Sequence, residues 1–453
     1  MRVHFIAIGG SAMHNLAIAL HKKGFHVTGS DDEIFEPSRG RLASHGLLPD
    51  QWGWFPGKIT PDLDAVILGM HARKDNPELA RALEMGLKVY SYPEYLYTQA
   101  IGKTRVVVGG SHGKTTVTSM VMHALKENHL QFDFMVGAQL DGFDTMVSLT
   151  ADAPVAVFEG DEYLSSPVDL RPKFLWYKPQ IAVLTGVAWD HINVFPTFES
   201  YVGQFDLFAR TIPDGGTLVY YANDTHLAEI ARKQSYRLET VAYEAIGHVV
   251  EDGITFAVAN GKKYELKVFG AHNLQNLQAA RLVCRELGMA DDAFLEAMRS
   301  FTGASRRLQS LYHDPKCDVY FDFAHSPSKL KATTQAVKLR YPRRQLVACM
   351  ELHTFSSLNR AFLPQYQGTM AYADKAYVYF SPDVMEHKRL DPFTKAEVAE
   401  AFAQQGLEVF TDSVGIFDAL RQTDWNDKTL LIMTSGNFDG VDIRGFVKDI
   451  FGD

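Results

Sequence analysis

The stretch Gly109-Gly110-Ser111-His112-Gly113-Lys114-Thr115-Thr116 decides the fold class, because it joins an apolar strand to a helical pattern. The strand covers Arg105–Val108, and the helical pattern continues to about Glu127. A strand, a glycine-rich turn and a helix are typical of a loop whose backbone N–H groups face a phosphate. We expect the Lys114 ammonium to reach the β- and γ-phosphates and the Thr115 hydroxyl to bind Mg²⁺. The residues that we predict to contact the nucleotide here are Gly110, Ser111, His112, Gly113, Lys114, Thr115 and Thr116.

This loop departs from the strict GxxxxGK[ST] pattern, because Val108 occupies the position of the first glycine. The alternative interpretation is a glycine turn ahead of an ordinary surface helix. The strand before the loop and the helix after it favour the phosphate loop.

Acidic side chains follow two further apolar strands, Val155–Phe158 and Ile181–Leu184. Glu159 begins the run Glu159-Gly160-Asp161-Glu162, and Asp190-His191 follows the second strand. A carboxylate at the carboxyl end of a strand, beside a phosphate loop, is a natural Mg²⁺ ligand. Each acidic pair taken alone could simply lie in a solvated loop. The predicted phosphate loop nearby favours the metal-binding interpretation over that alternative.

A second glycine turn, Gly9-Gly10-Ser11-Ala12, lies between the strand Val3–Ile8 and a helical stretch near the start of the chain. It meets the dinucleotide fingerprint GxGxxG only in part, because Ala7 and Ala12 occupy the outer glycine positions. Small residues still bring the helix N-terminus close to a diphosphate, and Asp31 could hold a ribose. A purely structural turn explains this motif equally well.

Polar residues also cluster later in the chain. Asn273 and Asn276 begin a helix, where asparagine usually caps and could instead bind a base. Arg306-Arg307 would suit the negative charge of a transferring phosphoryl group, although an exposed basic pair is common. Asp322-Phe323-Ala324-His325-Ser326-Pro327 follows a strand, where it could close over a nucleotide.

Strands alternate with helices through most of the chain, which predicts an α/β fold with parallel sheets. We expect three domains, at residues 1–101, 102–312 and 313–453, the first and the last of them Rossmann-like. The central domain should also contain an antiparallel patch between Thr240 and Phe269.

Composition narrows the class of protein. The net charge of −9 argues against non-specific binding of nucleic acid. Three distant cysteines without a CxxC pair suggest reduced, buried thiols in the cytoplasm. No apolar run approaches the ~20 residues of a membrane span, and the first strand is too short for a signal peptide. No membrane association is therefore expected, and no obligate protein partner is evident in the sequence.

Taken together, these motifs resemble the Mur ligase family over essentially the whole chain. The resemblance rests on six features in the family's order, which are residues 110–116, Glu159, Asp190-His191, the HNxxN stretch 272–276, Arg306-Arg307 and Asp322–His325. It implies three domains, which hold a UDP-linked substrate, then ATP with Mg²⁺, then the incoming amine. It also implies a reaction in which ATP phosphorylates a carboxylate and the amine then displaces phosphate.

The resemblance assigns roles by motif. Lys114, His191, Arg307 and His325 would be catalytic, and Thr115, Glu159 and His191 would bind metal. Asn276 would face the adenine, Arg307 the γ-phosphate and Asp322 the ribose. The cofactors implied are ATP and Mg²⁺.

The N-terminal turn is similar to that of the branch that uses UDP-N-acetylmuramate. The residues implied to bind this substrate are Gly9, Gly10, Ser11, Met13 and Asp31. One member of the branch adds L-alanine, and another adds the tripeptide L-Ala-γ-D-Glu-meso-diaminopimelate. Three stretches, 69–79, 169–177 and 433–440, favour the tripeptide, whereas Glu351-Leu352-His353-Thr354-Phe355 is closer to the alanine enzymes. Lys388 and Arg389 are candidate cations for a peptide acceptor.

The chain departs from the family pattern around His191, where Gly186 and Asn193 replace the usual asparagine and aspartate. Several family members carry a carbamylated lysine near the position of Asp206, so none is expected here.

Two other enzyme classes remain as alternatives. A nicotinamide-dependent dehydrogenase would use the Gly9-Gly10 turn, but it leaves Lys114 and Glu159 unexplained. A P-loop regulatory switch would use the loop at 109–116, but it leaves the third domain unexplained.

Overall fold

The computed structural model describes residues 1–191, 194–251, 253–304 and 307–452. The chain forms two compact units. The first comprises Met1–Val187, Val202–Glu244 and Ala279–Phe294. The second comprises Ala188–Tyr201, Ala245–Gln278 and Leu295–Asp453. The predicted α/β class is confirmed, because parallel sheets form the centre of each unit.

A four-stranded parallel sheet begins the first unit, with strand order β2-β1-β3-β4. Its strands are β1 (Arg2–Ile6), β2 (His26–Ser30), β3 (Ala65–Leu68) and β4 (Val89–Ser91), and its helices are α1 (Ser11–Lys22), α2 (Ser38–Ser44), α3 (Pro77–Glu84) and α4 (Tyr92–Gln99). β2 pairs with one edge of β1, and β3 pairs with the other edge. The Gly9-Gly10 turn therefore lies where such sheets open a ligand crevice.

A seven-stranded sheet completes the first unit, with strand order β11-β10-β9-β5-β8-β6-β7. Its strands are β5 (Thr104–Gly109), β6 (Phe132–Met135), β7 (Val147–Ser148), β8 (Val155–Glu159), β9 (Ile181–Leu184), β10 (Thr217–Tyr221) and β11 (Glu239–Tyr243). The helices of this stretch are α5 (Lys114–Glu127), α6 (Phe198–Thr211) and α7 (Thr225–Gln234). Val108 of β5 is in register with Glu159 of β8, so the glycine-rich loop and Glu159 leave the sheet side by side.

The predicted antiparallel patch is confirmed as a three-stranded sheet, β12 (His248–Glu251), β13 (Ile254–Ala259) and β14 (Lys262–Leu266). It begins later than expected, because β11 joins β10 in parallel and extends the central sheet. Two helices follow, α8 (Ala271–Glu286) and α9 (Asp291–Met298), and short 3₁₀ turns cover Pro56–Lys58, Lys173–Trp176 and Leu363–Tyr366.

A six-stranded sheet forms the centre of the second unit, with strand order β15-β16-β20-β17-β18-β19. Its strands are β15 (Gln309–His313), β16 (Cys317–Asp322), β17 (Gln345–Leu352), β18 (Lys375–Phe380), β19 (Glu408–Phe410) and β20 (Lys428–Met433). Its helices are α10 (Pro327–Arg340), α11 (Pro382–His387), α12 (Lys395–Phe402), α13 (Ser413–Arg421) and α14 (Ile443–Phe451). Alternate residues of β17 enter separate apolar clusters, as expected for a strand buried on both faces.

The third sheet begins at Gln309, near the boundary predicted between residues 312 and 313, because β15 pairs antiparallel with β16. The division into three domains stays a prediction. The half-exposed β15 lacks the apolar run that marks a central strand.

Two other features concern the whole chain. The three cysteines are free and buried, as predicted. Among the described residues, no helix is long and apolar enough to cross a membrane.

Candidate active site

Two glycines in the loop after β5 adopt backbone conformations that other residues could adopt only with strain. Gly110 has a φ of +130°, and a Cβ there would lie 2.2 Å from the Thr185 hydroxyl oxygen. Gly113 has a φ of +74° and caps the start of α5. Ser111 N–H donates to the Gly186 carbonyl at 2.9 Å, which fixes the loop against the end of β9. The loop thus presents the N-terminus of α5, as a phosphate site requires.

The Lys114 ammonium lies folded back over this loop. Its Nζ donates to the Gly110 carbonyl at 2.7 Å and to Glu162 Oε2 at 2.6 Å. Burial lowers the pKa of Lys114, but the carboxylates of Glu162 and Asp161 outweigh it, so the net shift is upward. The lysine is therefore held as a cation beside the loop before any phosphate binds.

Thr115 and Glu159, which we predict to bind metal, contact each other. The Thr115 hydroxyl donates to Glu159 Oε1 at 2.9 Å, and Gly137 N–H donates to Glu159 Oε2 at 2.8 Å. Both side chains offer oxygen, which Mg²⁺ prefers. No group of three His, Cys, Asp or Glu side chains suited to a metal occurs in the described part of the chain. Two protein oxygens fit Mg²⁺, which usually completes its shell with water and phosphate.

A second cluster lies within the second unit and contains Asp190, His191, His325 and Lys329. His191 has a φ of +53°, and its N–H donates to Asp190 Oδ1 at 2.8 Å. Burial opposes ionisation of Asp190, but the charges of His191, Lys329 and His325 lower its pKa to about 2. Burial and the charge of Lys329 lower the pKa of His325 to about 3. His325 is therefore neutral at neutral pH, and Asp190 is a carboxylate close to the Lys329 ammonium.

Arg307 and Asp322 lie near each other in the same unit. The Arg307 guanidinium stacks over the Phe323 ring at 4.5 Å, and Leu308 N–H donates to Asp322 Oδ2 at 2.6 Å. Burial raises the pKa of Asp322 to about 6, although Arg307 acts in the opposite direction. Arg306, the other half of the predicted pair, lies outside the described residues, as does Asn193.

The two asparagines of the HNxxN stretch are both buried in α8. Asn273 Nδ2 donates to the Phe269 carbonyl at 2.9 Å, which is a structural role. The assignment of Asn276 to adenine stays a prediction.

The N-terminal turn places Gly9 beside Asp31. Gly9 N–H donates to Asp31 Oδ2 at 2.7 Å, and a Cβ on Gly9 would lie 2.9 Å from that oxygen. Burial raises the pKa of Asp31 to about 6. Asp31 therefore braces the turn, Ser11 is exposed and Met13 is packed inside. The role of these residues in UDP-sugar binding stays a prediction.

Two residues near these sites were missed or undervalued in the sequence. Glu162 was regarded as a loop carboxylate, yet it is the buried partner of Lys114. Lys329 lies in the first turn of α10, two residues after Pro327, and Ser326-Pro327 is a pattern that starts helices. The start of a helix shortly after β16 was the feature of the sequence that could have identified Lys329.

Comparison with known proteins identifies related chains. The Mur ligase middle domain matches residues 108–284, and a second profile, the Mur ligase family catalytic domain, matches residues 2–104. A UDP-N-acetylmuramate–L-alanine ligase from Paenarthrobacter aurescens is 33% identical over 387 residues, 83% of this chain and 82% of the relative. The UDP-N-acetylmuramate–L-alanyl-γ-D-glutamyl-meso-2,6-diaminoheptandioate ligase of Haemophilus influenzae is 30% identical over 348 residues, covering 74% and 76%.

A solved structure shares the fold over nearly the full length. The UDP-N-acetylmuramate–alanine ligase MurC of Thermotoga maritima superposes with a TM-score of 0.72 at 23% identity. The match covers 99% of each chain.

Proposed function

The chain belongs to the Mur ligase family, whose members are ATP-dependent amide ligases, and from this premise we propose its two substrates. The first is UDP-N-acetylmuramate, which supplies the carboxylate. The second is the tripeptide L-Ala-γ-D-Glu-meso-diaminopimelate, which supplies the amine. The products are the amide, ADP and phosphate, as in the recycling of peptidoglycan.

The observation that carries the ligase chemistry is the Thr115–Glu159 contact of 2.9 Å beside the Lys114 loop. Backbone N–H groups of the loop and the Lys114 cation suit the phosphates of ATP. Thr115 and Glu159 would hold Mg²⁺, which neutralises charge on the phosphates when it is bound. Lys114 must leave Glu162 or share it in order to contact a phosphate, since its Nζ is now 2.6 Å from that carboxylate.

The second unit contains the other polar groups to which the proposal gives a role. Arg307, fixed over Phe323, suits negative charge on the γ-phosphoryl group, and Asp322 suits a ribose hydroxyl. His325 is neutral at neutral pH, so its imidazole can accept a hydrogen bond from the attacking amine. Lys329 and Asp190 would orient and balance the charge around this histidine. These roles are part of the proposal.

We expect the tripeptide to be used better than L-alanine, by about tenfold or more in kcat/KM, since it can make many more contacts. The measurement is ADP release by purified protein with UDP-N-acetylmuramate, ATP and each amine in turn. A nicotinamide enzyme or a simple ATPase would not need both the UDP-sugar and the amine. A higher kcat/KM for L-alanine would refute the tripeptide assignment and leave the ligase chemistry in place.

L-Alanine is the second candidate acceptor, because the relative from P. aurescens acts on it at 33% identity. A free-alanine site must be small and close around a single carboxylate. The same competition assay decides between the two amines.

We also expect activity to be independent of bicarbonate. Asp206, which lies near the position of a carbamylated lysine in relatives, forms an ion pair with Arg210 at 2.7 Å. A carboxylate there cannot form a carbamate. The test compares turnover in decarbonated buffer before and after addition of bicarbonate, and recovery of lost activity on addition would contradict this expectation.

A further inference from the structure

The six-stranded sheet opens a crevice around the carboxyl end of β20. β20 lies between β16 and β17. The segments that follow β16 and β17 pack into one apolar cluster, through Leu330 and Leu363. The segment that follows β20 packs into the other, through Phe446. Because neighbouring connections leave to opposite faces, the ends of these strands form the place where open α/β sheets bind ligands.

A buried carboxylate, Glu351, lies at this point near the end of β17. It is 2% exposed, and its Oε2 accepts hydrogen bonds from the Thr434 hydroxyl and, at 3.1 Å, from Phe438 N–H. Both donors belong to the segment that follows β20. A Cβ on Gly436 would lie 2.7 Å from the same oxygen, so the glycine permits the close approach. Glu351 therefore joins two strand ends with one fixed side chain.

The other carboxylate oxygen of Glu351 faces the His353 ring, which lies beside Lys388. Glu351 Oε1 lies 3.4 Å from Nδ1 of His353, whose side chain is 32% exposed. The ring is thereby oriented, and its Nε2 is on the side away from Glu351. The Lys388 ammonium donates to the His353 carbonyl and lies 5.1 Å above the Phe355 ring. Arg389, the neighbouring candidate cation, is exposed.

One hydroxyl at this place has no hydrogen-bond partner among the described residues. The Ser435 Oγ atom is buried and makes no hydrogen bond to the residues that the structure describes. Ser435 directly follows Thr434, which holds Glu351. A buried hydroxyl without a partner is costly, and a bound polar ligand would satisfy it.

We propose that His353 and Lys388 bind a carboxylate of the third residue of the acceptor peptide, with Glu351 as the positioning residue for His353. This inference rests on the proposed function, and it specifies which residues bind the last residue of the acceptor peptide. The Lys388 ammonium supplies the positive charge, and His353 is a donor to the same carboxylate in its Nε2–H or imidazolium form.

The spacing of the strands favours a peptide over a single amino acid. His325, which we place near the reacting amine, follows β16, and His353 follows β17, with β20 between them. Two strand spacings amount to about 10 Å. The amine and carboxylate of one amino acid lie within about 4 Å, whereas three extended residues span about 10 Å. An acceptor that reacts near His325 and is held at His353 must therefore be about as long as a tripeptide.

The test combines two variants with three acceptors. The variants are Lys388→Met and His353→Gln, and the control is Lys395→Met, which alters an exposed lysine of the same sheet domain. The acceptors are the tripeptide, the same tripeptide with both carboxylates of its third residue amidated, and L-alanine. We expect Lys388→Met to lower kcat/KM for the tripeptide by about 10- to 100-fold, mostly through KM, as for loss of a charged hydrogen bond. The values for the amidated peptide and L-alanine should change less than about twofold.

The wild-type protein gives an independent measurement that does not depend on any variant's folding. Amidation alone should lower kcat/KM by a similar factor, and Lys388→Met should add little to it. If the wild type uses the tripeptide but amidation and both variants have no effect, or lower all acceptors equally, this inference is wrong and the proposed function stands. If the wild type does not use the tripeptide, both fail together.

Discussion

Lys114→Ala should lower the rate of ADP release by at least about 10³-fold, because it removes the charge that we propose for the transferring phosphoryl group. The ammonium now donates to the Gly110 carbonyl and pairs with Glu162. No other lysine occurs in the run 109–116, so the loop would hold phosphate through backbone N–H groups alone. The measurement is ADP release with saturating UDP-N-acetylmuramate and tripeptide. Turnover near that of the wild type would refute the phosphate-loop assignment.

Because Lys114 is largely buried, this variant needs a control for loss of stability. A lysine in a loop is usually a surface charge, but Lys114 is only 16% exposed and Glu162 only 1%. Removing the lysine leaves a buried carboxylate without its cation, which costs about 3 kcal/mol or more. The double variant Lys114→Ala/Glu162→Gln removes that charge, so its thermal midpoint should recover while its activity does not. Recovery of activity in the double variant would mean that Lys114 serves stability only.

Glu159→Ala should have the second-largest effect, with a loss of about 10²- to 10³-fold at limiting Mg²⁺. Glu159 accepts hydrogen bonds from the Thr115 hydroxyl and Gly137 N–H. It therefore lies beside the first turn of α5. Without its carboxylate, Mg²⁺ would keep only the Thr115 oxygen from this pair. Activity measured against Mg²⁺ concentration should show a higher half-saturation point as well as a lower maximum.

Glu162→Ala is the matched comparison, because it removes a carboxylate three residues away. It should be less damaging, since Glu162 acts on Lys114 rather than on the metal. Its Mg²⁺ half-saturation should stay close to that of the wild type. A shift in Mg²⁺ dependence for Glu162→Ala, with none for Glu159→Ala, would place the metal three residues from where we put it.

Much of the fold was predictable because its signals are local. An apolar run followed by glycines and a helical pattern defined β5, its loop and α5 with errors of about one residue. The same reasoning located Glu159 at the end of β8. The signal was weaker for β15 and β11, because the pairing of an edge strand depends on which neighbour is available.

The sequence by itself determined the α/β class, the glycine-rich loop after β5, the family and the order of the candidate residues. These follow from hydrophobic period, glycine positions and residue order, which are properties of short segments. Only the tertiary structure decided which side chains face one another. Lys114 meets Glu162 across 48 positions, and Thr434 meets Glu351 across 83. Such contacts arise when strands distant in sequence become neighbours in a sheet, and nothing in the local pattern of either segment specifies its partner's side chain.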